Sequence, residues 1–175
     1  MRIGIDARFY GPVGKGIGRY SQKLITQLEK LDQENEYFIF LRQENFDLYQ
    51  PSNPKFHKVL ADYSWYSLKE QIFFPFKLAK FNLDLVHFLH FNVPFGYQGK
   101  FVVTIHDLIH SQLSRRASTL SFLLFYFKKL AYFLVINRAI KKAQKVITVS
   151  LFSKKIIIKK YKIKPEKVIV IYEAA

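Results

Sequence analysis

Arg2-Ile3-Gly4-Ile5-Asp6, followed by Gly14-Lys15-Gly16-Ile17-Gly18-Arg19-Tyr20, decides how this chain is read. The first stretch is a short apolar run of strand length. From Ile17 onward, Tyr20, Leu24, Leu28 and Leu31 recur at spacings of three and four, which predicts an amphipathic helix. A glycine-rich segment therefore joins a strand to a helix. A second strand end carries chemistry: Lys100–Val103 runs into Thr104-Ile105-His106-Asp107. Ligands of open parallel sheets bind just outside the carboxyl ends of the strands, so the glycine segment and the His106 imidazole are placed to share one cleft.

The rest of the chain repeats the alternation. Glu36–Leu41 reads as a strand from its aromatic and β-branched content, Gln50–Pro54 as a turn, and Lys55–Leu60 as a third strand. Trp65–Phe81 reads as a helix with a kink at Pro75. Asp84–Leu89 and Lys100–Ile105 are nearly continuous apolar runs, as parallel strands covered on two faces require. Ser118–Lys142 is expected to be a long helix, Lys145–Val149 a strand, Ser150 the N-cap of a helix ending near Tyr161, and Lys167–Ile171 a last strand. The sum is one α/β domain over residues 1–175, a doubly wound, mostly parallel sheet of Rossmann-like type in three layers.

Composition narrows the class. The 175 residues are 50% hydrophobic and 17% aromatic, which excludes a disordered chain, and the absence of cysteine excludes disulfides and thiolate metal sites. Met1–Asp6 reaches a carboxylate before any apolar run of signal-peptide length, so a cytoplasmic location is expected. The formal charge of +15 is uneven: Leu108–Pro165 contains no Asp or Glu but many Lys and Arg, including Lys128, Lys129, Lys141 and Lys142. One part of the surface should then attract anions, whether nucleic acid, lipid headgroups or nucleotide phosphates. In the long helix, Lys128 and Lys129 interrupt the apolar runs Leu120–Phe127 and Leu130–Ile136, and neither run approaches the roughly 20 residues a bilayer span needs. Its apolar residues are left with burial between neighbours or contact at a lipid interface.

Each motif has a functional and a bland reading. A glycine turn at a helix start offers backbone N–H groups and the positive end of the helix dipole to a phosphate or sugar, or is simply a tight turn. Gly14-x-Gly16-x-Gly18 matches neither G-x-G-x-x-G nor a P-loop, which disfavours a dinucleotide or ATP site. His106 either contacts a substrate hydroxyl or phosphate, or is satisfied locally at its strand end. His87 and His90 lack an obvious third ligand, and His110, four residues after His106, lacks the Glu of a zinc-protease helix, so no metal is expected. Asp6 either orients the glycine segment, contacts ligand, or makes a loop hydrogen bond, and Glu173 is read as the chain's exit from the last strand. The basic stretch and aromatics also suit a nucleic-acid-binding module, but no nucleic-acid motif is present and the aromatics sit in strands and apolar helix faces. A nucleotide-dependent Rossmann enzyme suffers from the glycine spacing.

Six segments, taken in order, resemble the amino-terminal, acceptor-side half of a family 4 (group 1) glycosyltransferase of the GT-B type: Ile3–Arg8, Gly16–Tyr20, Asp84–His87, Val103–Leu108, Val146–Ser150 with Phe152–Lys154, and Val168–Glu173. The resemblance implies two Rossmann-like domains facing across a cleft, the first holding mainly acceptor and the second mainly a nucleotide-sugar donor. It implies that Gly14, Gly16, Ile17, Gly18, Arg19 and Tyr20 lie near the donor phosphates or acceptor, and that His106 contacts the donor sugar, supported by Asp6 and Asp107. It further implies retention of anomeric configuration by front-face displacement, with a hexose passing from a nucleotide-sugar to a glycan or lipid-linked acceptor and no cofactor beyond that co-substrate. The nucleotide-sugar domain would have to come from beyond Ala175 or from a partner chain, so the chain alone is expected not to turn over. Lys128, Lys129, Lys141 and Lys142 are expected to face an anionic membrane, making the domain peripheral on the inner face of the cell membrane.

Overall fold

The computed structural model describes residues 1–107 and 122–173. Seven strands, β1 (Arg2–Asp6), β2 (Glu36–Leu41), β3 (Phe56–Leu60), β4 (Leu85–Phe88), β5 (Phe101–Ile105), β6 (Lys145–Thr148) and β7 (Val168–Val170), form one sheet in the order β3-β2-β1-β4-β5-β6-β7. Every neighbouring pair is parallel, so the sheet is wholly rather than mostly parallel. The chain crosses from β1 outward to β3, then returns to β4 on the other side of β1. That reversal opens a crevice at the carboxyl ends of β1 and β4.

Helices α1 (Lys15–Leu31), α2 (Gln43–Phe46), α3 (Leu68–Ala79), α4 (Phe122–Lys142) and α5 (Leu151–Tyr161) connect the strands. Ile25 of α1 packs with Ile5, Ile39 and Leu41 on one side of β1–β2, while Phe74 and Leu78 of α3, Ile136 and Ile140 of α4, and Ile157 of α5 build a larger core on the other. Phe40, Phe74, Phe88 and Phe101 lie in that larger core, so much of the aromatic content is packing rather than a stacking surface. Ser150 caps α5, its Oγ accepting from the Ser153 amide at 3.1 Å.

Two helix starts differ from the sequence reading. Helix α3 starts at Leu68, not Trp65, because Ser67 is its N-cap and Tyr66 takes a positive φ of 60°. Pro75 lies inside α3 without ending it. Helix α1 starts at Lys15, so Gly16 and Gly18 belong to its first turns instead of to a loop. The amino-terminal part of the long helix expected from Ser118 lies outside the described residues, as do Leu108, His110 and the Lys128 side chain.

Candidate functional site at the carboxyl edge

The segment after β1 is folded tightly back on α1. Gly11 has φ of 83°, in the left-handed region that glycine tolerates. Gly14 and Gly18 are required by close approach: a Cβ at Gly14 would lie 1.8 Å from the Phe9 carbonyl oxygen, and one at Gly18 would lie 1.9 Å from that of Gly11. Gly16 differs, since a Cβ there would meet no atom within 4 Å. Helix α1 carries Gly14 as N-cap, no side-chain cap and no acidic residue in its first turn. The Lys15 amide donates to the Pro12 carbonyl, and the space beside Gly16 is open, so the positive end of the helix dipole has room for an anion.

Tyr20 follows Gly16 by four residues, hence lies on the same side of α1 one turn on. Its ring meets the His106 ring edge-on, with centroids 4.8 Å apart, and its hydroxyl bonds Thr104 on β5. Burial, opposed by that bond, raises the Tyr20 pKa. The glycine segment and the imidazole thus line the same rim. His106 Nε2 is 3.1 Å from the Leu89 carbonyl, which can only accept, so Nε2 carries a proton. Nδ1 lies 2.9 Å from the Glu173 carboxylate. Glu173 reaches back from beyond β7 to the imidazole, a contact 67 residues apart in sequence that its strand-exit position did not suggest.

Beneath the rim sits a buried ionic cluster. Asp6, at the end of β1, accepts two bonds of 2.8 Å from the Arg8 guanidinium, which also donates to Glu70 on α3 at 2.6 Å. Asn92, after β4, donates to both Glu70 oxygens at 2.7 and 2.8 Å. The Tyr66 amide donates to Glu70 Oε2 at 2.7 Å, and the guanidinium lies over the Phe74 ring at 4.1 Å. Burial disfavours the Arg8 charge, but Asp6 and Glu70 outweigh it and hold its pKa above the usual range. Burial raises the Glu70 pKa against the opposing pull of Arg8 and Asn92. Asp6 thus holds the Arg8 side chain two residues on. Arg8, Glu70 and Asn92 were not foreseen as a unit.

His87 lies under the same rim, its Nε2 2.8 Å from Thr104 Oγ1. Burial and the nearby His106 lower its pKa to about 4. Among the described residues, no group of three or more His, Cys, Asp or Glu stands together as a metal site. Asp107 is exposed at the rim, and its charge acts on the Tyr132 hydroxyl of α4. Ile17 is half-buried and Arg19 exposed on α1; Lys129 is half-buried, and Lys141 and Lys142 are exposed at the far end of α4. Lys141 and Lys142 lie at the opposite end of the strands from the rim, since α4 runs from the carboxyl toward the amino ends of the strands. No helix among the described residues is long and apolar enough to cross a membrane.

No curated protein matches the chain. Among solved structures, the UDP-GlcNAc 2-epimerase from Methanocaldococcus jannaschii is similar with a TM-score of 0.56 and 13% identity, over 97% of this chain and 45% of that one. At that identity the likeness is one of fold, and the chain spans less than half of its neighbour's length. The family model for Glycosyltransferase Family 4 matches residues 14–174, from the α1 N-terminus past β7. By that match the chain belongs to Glycosyltransferase Family 4.

Proposed function

We propose that this chain is the acceptor-side lobe of a retaining glycosyltransferase, passing a hexose from a nucleotide-sugar to a glycan or lipid-linked acceptor. The observation that carries the reading is the uncapped start of α1: Gly16 leaves it open, and Tyr20, one turn later, rests on His106. Gly14–Tyr20 receive phosphate or acceptor oxygens, and His106 contacts the donor sugar by exchanging one of its two bonds, to the Leu89 carbonyl or to Glu173, for a sugar hydroxyl. Asp6 acts through Arg8 as a positioning residue, and Asp107 belongs to the outer rim. In the transfer, the bond between the anomeric carbon and the phosphate oxygen breaks. The acceptor oxygen bonds that carbon on the same face, and its proton passes to the leaving phosphate, so no protein base is consumed. A second lobe, in the same polypeptide or a partner chain, supplies most of the nucleotide-sugar contacts. The acid-free basic α4, with Lys129, Lys141 and Lys142, turns toward an anionic membrane on the cytoplasmic side.

The chain alone, incubated with UDP- and GDP-hexoses and a lipid-linked acceptor, should transfer nothing above background. Completed with a sugar-nucleotide-binding lobe it should transfer with retention. His106→Ala should then lower kcat by about 100-fold or more, the scale of losing one preorganised donor at developing charge. Transfer by the chain alone, or an unchanged kcat in His106→Ala, would overturn the proposal.

A further inference from the structure

Helices α3 and α4 flank the 91–99 segment on the side of the larger core. The Phe95 amide donates to Gln71 of α3 at 2.8 Å. Arg138 of α4 donates to the Tyr97 carbonyl at 2.7 Å and lies over the Phe95 ring at 4.9 Å. The three pieces therefore form one continuous flank. Each helix already buries one apolar stripe, Phe74 and Leu78 from α3 and Ile136 and Ile140 from α4. The stripe facing outward on such helices is ordinarily polar. Here it is not. Leu68, Ile72, Phe73 and Phe76 stand exposed along α3, Leu68 by 80% and Phe76 by 67%. Phe95 is exposed on the segment between, and Phe127, Leu130 and Leu134 on α4. A groove of about 510 Å³ runs between Ile72 and Phe76 on one side and Tyr97 and Gly99 on the other. Large apolar side chains exposed together on one flank mark an interaction site.

The charge of the flank selects the occupant. Its polar side chains include Lys69 and Lys77 on α3, Lys80 just past its end, and Arg138, Lys141 and Lys142 on α4. The one carboxylate on α3 or α4 among the described residues is Glu70, fully buried against Arg8. A second copy of this chain docking face to face would set cations against cations, because a two-fold interface pairs a patch with itself. Nucleic acid would leave the aliphatic stripe unmatched. A bilayer with anionic headgroups satisfies both halves, acyl boundary for the apolar stripe and phosphates for the lysines.

We propose that the flank formed by α3, the 91–99 segment and α4 is a membrane seat, with Ile72, Phe73, Phe76 and Phe95 entering the acyl boundary of an anionic leaflet. This deepens the membrane reading above, which rested on the α4 lysines, by assigning an apolar insertion surface centred on α3. The test measures co-sedimentation with phosphatidylcholine vesicles containing phosphatidylglycerol and with pure phosphatidylcholine vesicles. The expected preference for the anionic vesicles is about tenfold or more, falling with salt. The double variant Ile72→Ser, Phe76→Ser should lose about tenfold of that binding with an unchanged melting temperature, both side chains being exposed in the fold. Leu31→Ser, an exposed apolar residue at the end of α1, should bind as the parent does. Phe76→Trp should show blue-shifted emission on anionic vesicles, quenched by brominated acyl chains. Anionic binding that ignores the Ile72/Phe76 change leaves the lysine reading standing and removes this one, while equal binding to both vesicle types removes both. A dimer dissolved by Phe76→Ser, or emission from Phe76→Trp that the brominated chains do not quench, would also overturn the proposed seat.

Discussion

Gly16 and Gly18 differ by two positions in the same helix, yet the structure assigns them opposite responses to a single methyl group. At Gly18 the added Cβ would sit 1.9 Å from the Gly11 carbonyl oxygen and 2.6 Å from that of Phe9. Ordinary contact needs about 3.4 Å, so α1 must retreat from the loop by roughly 1.5 Å or the loop must open. Overpacking of this kind costs about 1–3 kcal/mol, with backbone oxygens as the unyielding partners placing it at the upper end. Against it stands a gain of about 1 kcal/mol from replacing glycine by alanine in a helix. The net for Gly18→Ala is a loss of about 2 kcal/mol, or roughly 4–8 °C in melting temperature for a chain of this length. Gly16→Ala meets nothing and keeps the helix gain, so its melting temperature should hold or rise by up to about 4 °C. Differential scanning fluorimetry of the two variants beside the parent decides the matter. Equal destabilisation would refute the assignment of Gly16 to open space, and with it the anion-accepting reading of the α1 N-terminus.

Two further outcomes follow from the buried groups. Arg8→Met leaves Asp6 and Glu70 buried without their cation, and urea unfolding should show a loss of about 3–5 kcal/mol. Adding Glu70→Gln should recover part of that loss, and no recovery would mean the carboxylates are not the cause. His87, with a folded pKa of about 4 below its ordinary 6.5, is neutral in the fold while the unfolded chain takes up a proton. Its contribution is complete above about pH 6.5 and is lost as pH falls toward 4, up to about 1–3 kcal/mol for a half-buried ring. His87→Gln should flatten the stability profile between pH 6.5 and 4; an identical slope in parent and variant would sink this assignment.

What was legible in the sequence was what is local. Strands β1, β2, β4 and β5 are short and mostly apolar, and α1 and α5 carry their spacing and, for α5, the Ser150 cap within a few residues. Helix α2 was not legible, because four residues have no period. It exists because Asn45 is buried and donates to the Arg8 and Tyr10 carbonyls, at 3.0 and 3.1 Å, across more than thirty residues of sequence. The start of α3 was misjudged because Trp65 and Tyr66 extend its apolar content, whereas Glu70 draws the Tyr66 amide out of helical geometry. The Arg8–Glu70–Asn92 cluster had one overlooked signal: Glu70, Phe74 and Leu78 share a stripe at spacings of four, and all three are buried. A carboxylate on an apolar stripe announces a buried cation, although it does not say which one.

The two halves of the site meet in one short segment. Leu89 supplies the carbonyl that fixes His106 Nε2, and Asn92, three residues on, donates its side-chain amide to both Glu70 oxygens. Glu70 is held by Arg8, Arg8 by Asp6, and Asp6 ends the strand from which the glycine segment departs. The orientation of the imidazole and the path of the loop that opens above Gly16 are thus set by the same buried ion pairs, none of which faces the cleft. Such an arrangement orders the rim before any ligand arrives, and groups ordered in advance need not be reorganised when charge develops beside them. It also explains why a charged cluster is retained where apolar side chains would pack at lower cost. The connections of β1 and β4 leave the sheet in opposite directions, so no continuous apolar layer spans the crevice between them. A guanidinium with bonds fanning to Asp6, to Glu70 and to the Tyr63 carbonyl at 3.3 Å bridges that gap in a way an aliphatic chain cannot.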